Sequence, residues 1–297
     1  MANPQTERHI HASMALILRL GLGLVFIIGG TSKLSQLLDP AQQEQILASY
    51  WGTSGYVNQF FIDFMFDGTL SPWWFLTTLS TFELLSGLAL VAGLAVRPLS
   101  LIYGFLLWTF VIALPVLTVP GVESDVSTYR APALFVQIRD VALSGMMFVL
   151  YVLGSGSFSL DRGQFNQNAV RPQADWNALG LLLRLSLAAP LIIGGFFYAM
   201  PNISSFATPF WVLLPLGVLL VAGVGLRFVG SATSLVMLWA MSQKLSLDAS
   251  LIANLNGFKR EFAFLAGGMV LAVWGGGASH TVHSAVHRLK SAESGSS

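Results

Sequence analysis

Leu18-Arg19-Leu20-Gly21-Leu22-Gly23-Leu24-Val25-Phe26-Ile27-Ile28-Gly29-Gly30 decides how this chain is read. One charge interrupts an apolar run from about residue 13 to 37, and roughly 20 such residues cross the hydrocarbon core of a bilayer as a helix. The same frame returns as Leu183-Arg184-Leu185 followed by Ile192-Ile193-Gly194-Gly195. A membrane segment that recurs with its buried arginine in place points to a repeated architecture.

Working outward, seven more apolar spans can be drawn, near 72–96, 98–119, 132–154, 177–199, 207–226, 228–245 and 259–278. Arg97-Pro98, Pro120-Gly121 and Gly154-Ser155-Gly156-Ser157 supply the breaks. The spans predict an all-α polytopic membrane protein of about eight transmembrane helices, arranged as two tandem four-helix bundles. Residues 1–165 form the first unit, and residues 166–297 form a diverged second unit with a polar tail. Two further matches support the repeat. Leu90-Val91-Ala92-Gly93-Leu94-Ala95-Val96-Arg97 returns as Leu220-Val221-Ala222-Gly223-Val224-Gly225-Leu226-Arg227, and Arg139-Asp140 returns as Arg260-Glu261.

Composition agrees with this class. Hydrophobic residues make up 54% of 297 and charged residues 10%, too few charges to cover a soluble protein of this size. The net charge of +1 implies no nucleic-acid partner. With no cysteine, thiol chemistry, iron–sulfur clusters and covalently attached haem are excluded. The apolar run after Ser13 is longer than a signal-peptide core and ends in no small-residue cleavage site, so the first helix is expected to be retained.

Basic residues set the orientation. Arg8, Arg97, Arg162, Arg171, Arg227, Arg288 and Lys290 gather at one set of ends, and Asp39, Glu44, Asp63, Asp67, Glu123 and Asp125 at the other. Both termini are therefore expected in the cytoplasm of a cell whose inner membrane holds the chain. Lys33, Arg130, Lys244 and Lys259 are the basic exceptions on the outer side.

The outer connection, residues 39–71, reads as two short amphipathic helices, Gln42 to Trp51 and Tyr56 to Phe66, rich in aromatic residues. Anchoring at headgroup depth is the simpler reading. A lid over a lipid-soluble substrate, with Trp51 and Tyr56 as substrate-binding residues, is the sharper one.

Charges inside a membrane need a partner or a function. Glu83 falls mid-span, where a short carboxylate cannot reach water, and Asp140 lies about two turns into its span. Counting helical rises puts Arg19 and Glu83 at similar depth. The expected site is an Arg19–Glu83–Arg139–Asp140 cluster inside the first unit, either a structural ion network or a proton-transfer site. Glu83 and Asp140 would be its catalytic groups, and Arg19 and Arg139 would bind substrate. Leu213 stands where the second unit would carry the counterpart of Glu83, which points to the first unit as the active one. The glycine pairs 21/23, 29/30, 87/93 and 267/268 suit close helix packing. No histidine falls in a confident span, and the His280, His283, His287 trio reads as a solvated face rather than a metal site.

Leu18-Arg19-Leu20-Gly21 to Gly30 with Lys33-Leu34, then Glu83 to Gly87 with Gly93 and Arg97, then Arg139-Asp140 to Gly145, together resemble the DoxX/DoxD family of membrane proteins. The outer loop and Ser159-Leu160-Asp161 look closer to the DoxD branch. The resemblance implies a four-helix membrane unit tied to redox chemistry. In DoxD relatives this is a thiosulfate:quinone oxidoreductase, with quinone as electron acceptor and protein subunits as partners. It departs from the simple pattern in being duplicated. Without a recognisable partner domain, the chain reads either as a quinone-linked oxidoreductase subunit or as a non-catalytic accessory subunit of a respiratory or photosynthetic complex. A small-molecule transporter is a third reading.

Overall fold

The structure is a computed structural model describing residues 4–50, 71–113, 131–156, 158–162, 175–196, 206–277 and 281–284. Among these residues it contains nine α-helices and one 3-10 turn, Leu160–Arg162. The helices are α1 (Pro4–Leu37), α2 (Pro40–Tyr50), α3 (Pro72–Ala92), α4 (Val96–Ala113) and α5 (Ala131–Leu153). They continue with α6 (Trp176–Phe196), α7 (Phe210–Ala222), α8 (Leu226–Lys244) and α9 (Leu251–Trp274).

Three stretches are long and apolar enough to span a bilayer: His9–Leu37, Pro72–Ala92 and Trp176–Phe196. Val96–Ile112 and Phe210–Ala222 are apolar but shorter. Of the eight expected spans, three are matched by described helices on length and composition. The eighth expected span is a longer helix, α9, that begins at Leu251 and carries Lys259, Arg260 and Glu261 near its start. Large apolar side chains face outward, among them Phe105 (61% exposed), Trp211 (66%) and Phe228 (78%). Water would not tolerate such a surface, and lipid does.

The chain breaks between α3 and α4 at Gly93, not at Arg97-Pro98, because Pro98 already sits in the first turn of α4, where its missing N–H costs nothing. Gly93 takes a left-handed conformation, φ 74°, and donates to the α3 carbonyls of Ala89 and Leu90. The corresponding turn between α7 and α8 does the same: Gly223, φ 71°, donates to Leu219 and Leu220. Two residues on, Ala95 (φ 50°) and Gly225 (φ 58°) are both left-handed as well.

Helix packing follows a matched pattern. Each half pairs its first long helix with its second, α1 with α3 and α6 with α7, and its third with its fourth, α4 with α5 and α8 with α9. The first helix of each half then packs chiefly on the fourth helix of the other half, α1 on α9 and α6 on α5. The halves interlock and do not stand as two separate bundles. Residue pairs repeat within this pattern. Gly30 backs onto Leu84 and Gly195 onto Leu214, while Gly87 backs onto Ile27 and Gly217 onto Ile192. Across the halves, Gly21 meets Ala266 and Gly145 meets Ser186. Small side chains are needed at these crossings because the helix backbones approach too closely for larger ones.

Of the outer connection, α2 is described. Ile46 packs with Leu37 and Leu76, and Trp73 donates its indole N–H to the Leu37 carbonyl at 3.4 Å. Trp51, Tyr56 and the expected second amphipathic helix lie outside the described residues, as do His280 and His287. His283 is exposed.

Candidate functional site

α3 carries Glu83 on its buried face, with the residue only 5% exposed. Its partner is Lys33 of α1, at 2.5 Å from Nζ to Oε2. The expected partner, Arg19, is elsewhere. Arg19 and Lys33 are fourteen residues apart on one helix, about 21 Å along its axis. The Arg19 guanidinium lies against Gly93 and donates to the carbonyls of Ser155 at 2.6 Å and Phe158 at 2.5 Å. It ties the end of α3 to the chain leaving α5, with Asp161 as the nearby negative charge. Asp161 also accepts from the backbone N–H of Ala95, and Ser159 donates to the Gly93 carbonyl. Depth counting failed because Arg19 reaches toward the helix ends, where backbone carbonyls are available.

Arg184 repeats this arrangement. Its guanidinium lies against Gly223, and its stem packs on Gly276. Both arginines are almost fully buried, Arg19 at 1% and Arg184 at 0% exposure. They read as paired structural clamps at one end of the molecule.

The charges at the other end converge from both halves. Asp140 of α5 is 4% exposed and pairs with Arg260 of α9 at 3.3 Å, Nε to Oδ1. Arg139 lies within its electrostatic reach. Glu261 pairs with Lys244 at the end of α8. Lys259 lies within electrostatic reach of Lys33, Glu83, Arg260 and Asp140, and so joins the two ion pairs into one field. Its ammonium donates to Asn256 Oδ1 at 2.8 Å. A kink stands just before the α9 groups. Phe258 leaves the helical conformation, at φ −126° and ψ 20°, immediately before Lys259-Arg260-Glu261.

Three of the four basic exceptions on the outer side thus lie in or beside buried ion pairs. In the sequence they stand among the charges of the outer loops. A signal was present: Lys33 follows Gly29 by four residues and shares its helix face. Gly29 itself differs from its neighbour. A methyl at Gly30 would strike the α3 backbone, at 2.6 Å from Leu84 N and Ser80 O. A methyl at Gly29 would meet only Glu83 Oε2 and Lys259 at ordinary contact distance, 3.5 Å to each. Gly30 is a packing residue, and Gly29 borders the charged site.

Tyr103 is a further residue the sequence did not single out. It is fully buried on α4, stacks on Phe26 with ring centroids 3.6 Å apart, and shares a hydrogen bond of 2.5 Å with Ser86. Ser86 lies one turn from Glu83, so Tyr103 flanks the site from the α4 side.

Apolar helices with interior ion pairs and an outward apolar surface define a helical membrane protein. The DoxX family model matches residues 14–118, a stretch that holds α1 from Met14 onward, α3 and α4, with Lys33, Glu83 and Tyr103. No curated protein matches the chain, and neither does any solved structure.

Proposed function

We propose that this chain is a membrane subunit of a redox system that passes electrons from an inorganic sulfur compound to quinone. The observation that carries the reading is Glu83, buried within the stretch that matches the DoxX family model, paired to Lys33 and approached by Lys259. Quinone reduction needs protons delivered away from bulk water, and a buried carboxylate beside ammonium donors is suited to that task. The donor set fits a quinone. Lys33 and Lys259 would donate to a ring carbonyl oxygen, and Gly29 presents no side chain between α1 and the Glu83 and Lys259 groups. Bound quinone would supply the two-electron chemistry. Glu83 would hold and transfer a proton, with Lys33 orienting it. Asp140 sits next in line, through Arg260 and Lys259, as a second proton-holding group.

Arg19 is left out of this site, because its guanidinium clamps the opposite end of the helices. Arg139 stays as a positive neighbour of Asp140. The two halves are read as diverged copies, supported by the matching Gly93 and Gly223 turns and their arginines. The inner-membrane location with cytoplasmic termini rests on the arginine bias. It is strengthened because Lys33 and Lys244 are spent in ion pairs and no longer count as loop charges.

The test is quinone reduction by the native complex, purified with and without Glu83→Gln. Loss of turnover in a correctly folded Glu83→Gln complex, with Arg19→Lys retaining turnover, supports the proposal. Unchanged turnover in Glu83→Gln rejects the proton-transfer role and leaves a non-catalytic accessory subunit.

A further inference from the structure

We infer that residues 245–252, the turn from α8 into α9 with the first residues of α9, insert into the bilayer at the boundary between lipid headgroups and acyl chains. The partner is a lipid surface, engaged by apolar contact and not by charge. The sequence alone puts this stretch in a connection outside the bilayer, between apolar spans that end near residue 245 and resume near 259. The inference stands apart from the redox reading and uses none of its residues.

Three observations converge. First, the outward side chains of the turn are apolar. Leu245 is 56% exposed, Leu247 96%, Leu251 73% and Ile252 41%. A single exposed leucine is ordinary on any protein surface, but this grouping makes a patch. Asp248 is the one charged residue within it. The cation just before it, Lys244, turns inward, pairing with Glu261 and donating to the Gly257 carbonyl at 3.3 Å. The turn therefore offers lipid an apolar surface with no ammonium directed at the phosphates.

Second, the peptide groups of the turn are bonded from within. Asn254, 8% exposed, accepts from the Ser246 N–H at 2.8 Å and donates to the carbonyls of Ser246 at 2.8 Å and Ala249 at 3.2 Å. Ser250 caps α9 by accepting from the Ala253 N–H at 3.2 Å. A turn in water needs no such bracing, because water serves its peptide groups. A turn entering lipid does, because each peptide group without a partner is costly there. Leucines outside and bonded peptide groups inside are the combination a layer poor in water selects.

Third, the patch continues a lipid-facing surface. On α8, Phe228, Leu235, Leu238 and Trp239 are exposed at 78%, 65%, 49% and 52%. Their spacing, with Leu245 next, follows one side of the helix. From Phe228 to Leu245 the stripe runs about 26 Å at the helical rise, against a hydrocarbon core of about 30 Å. A bilayer centred on the stripe has its boundary layer at Leu245, and the turn lies in that layer. This continuity makes lipid the occupant of the patch in place of a protein.

The sequence holds no cysteine, so one introduced cysteine is the only thiol to label. Leu247→Cys in the full-length chain is labelled with the polarity-sensitive fluorophore NBD. It is reconstituted in nanodiscs of phosphatidylcholine, and of phosphatidylcholine mixed with phosphatidylglycerol. Leu235→Cys marks the bilayer interior, and Asp175→Cys, at an exposed position, marks water. Quenching is read with aqueous iodide and with lipids carrying a doxyl group either near the headgroup or near the acyl-chain end.

At Leu247 the expected result is blue-shifted emission, iodide quenching about threefold weaker than at Asp175, and strongest lipid quenching by the doxyl group near the headgroup. At Leu235 the deep doxyl group should quench best. Both nanodisc compositions, with or without added sodium chloride, should agree. Adding Leu251→Ser and Ile252→Ser to Leu247→Cys should raise iodide quenching toward the Asp175 level, with the melting temperature in detergent unchanged. Iodide quenching at Leu247 equal to that at Asp175 overturns the inference, as does a serine variant that leaves the quenching unaltered. Shielding seen only in native membranes would mark a protein partner, and shielding that requires phosphatidylglycerol or is lost in salt would mark attachment by charge. Either outcome also overturns it.

Discussion

Asp140 of the first half and Arg260 of the second meet at 3.3 Å across the interlocked helices, with the Asp140 side chain 6% exposed and that of Arg260 23%. The ion pair therefore fastens α5 to α9 at the level of the candidate site. Removing one partner leaves the other charge buried and uncompensated, at a cost of about 3 kcal/mol. Asp140→Ala and Arg260→Ala are each expected to destabilise the purified protein strongly, and Asp140→Leu with Arg260→Leu to recover much of the loss. Thermal denaturation in detergent, arranged as a double-mutant cycle, checks this. Additive effects of the two single substitutions would mean that the pair is not coupled.

Gly29 and Gly30 should respond in opposite ways to the same methyl group. Gly30→Ala places a carbon 2.6 Å from the α3 backbone at Leu84 N and Ser80 O, so α1 and α3 must separate. Gly29→Ala meets only side-chain ends at 3.5 Å and should fold with near-normal stability. Expression level and melting temperature in detergent distinguish them: Gly30→Ala falls well below wild type, and Gly29→Ala stays within about 1 kcal/mol of it.

The two turn glycines of the second half also differ. Gly225→Ala meets nothing within 4 Å and should cost only the left-handed penalty of about 1–2 kcal/mol. The corresponding Ala95 already tolerates φ 50° in the first half. Gly223→Ala, at φ 71°, would drive a methyl into the Arg184 guanidinium and to 2.8 Å from Thr281 Cγ2. Gly93→Ala would collide with Arg19 and come within 2.8 Å of Ser159 Cα. Both are expected to lose more stability than Gly225→Ala, by melting temperature on matched preparations. Equal losses at all three positions would deny the arginine clamps their structural role.

Tyr103→Phe tests the flank of the site. The ring keeps its stacking on Phe26, and the lost hydroxyl bond to Ser86 costs about 1 kcal/mol. Ser86 retains its bond to the Phe82 carbonyl at 2.5 Å, which limits the loss. Tyr103→Ala removes the stacked ring as well and should cost about 3–5 kcal/mol. Chemical or thermal denaturation gives both numbers. A Phe substitution as damaging as Ala would place the hydroxyl, and not the ring, at the centre of the packing.

Composition and periodic apolar runs were enough to establish a helical membrane protein, because the lack of water in lipid leaves a chain few ways to satisfy its backbone. Local repeats in the sequence also set Gly93 beside Gly223 and Arg19 beside Arg184 as matching positions, but that these glycines make left-handed turns against the arginines emerged only in the fold. Single-residue identity told which charges are buried, since Glu83 and Asp140 fall in apolar stretches. Pairing was decided only in three dimensions. Axial counting matched Arg19 to Glu83, yet a long guanidinium bends to whichever carbonyls are near, and it chose those of Ser155 and Phe158. Lys33 and Arg260 became partners of Glu83 and Asp140 because α1 crosses α3 and α9 crosses α5, contacts between residues as many as 120 positions apart. No spacing along the chain encodes such a crossing; close packing of small residues does, at Gly30 against α3 and at Gly267 against Met146 of α5.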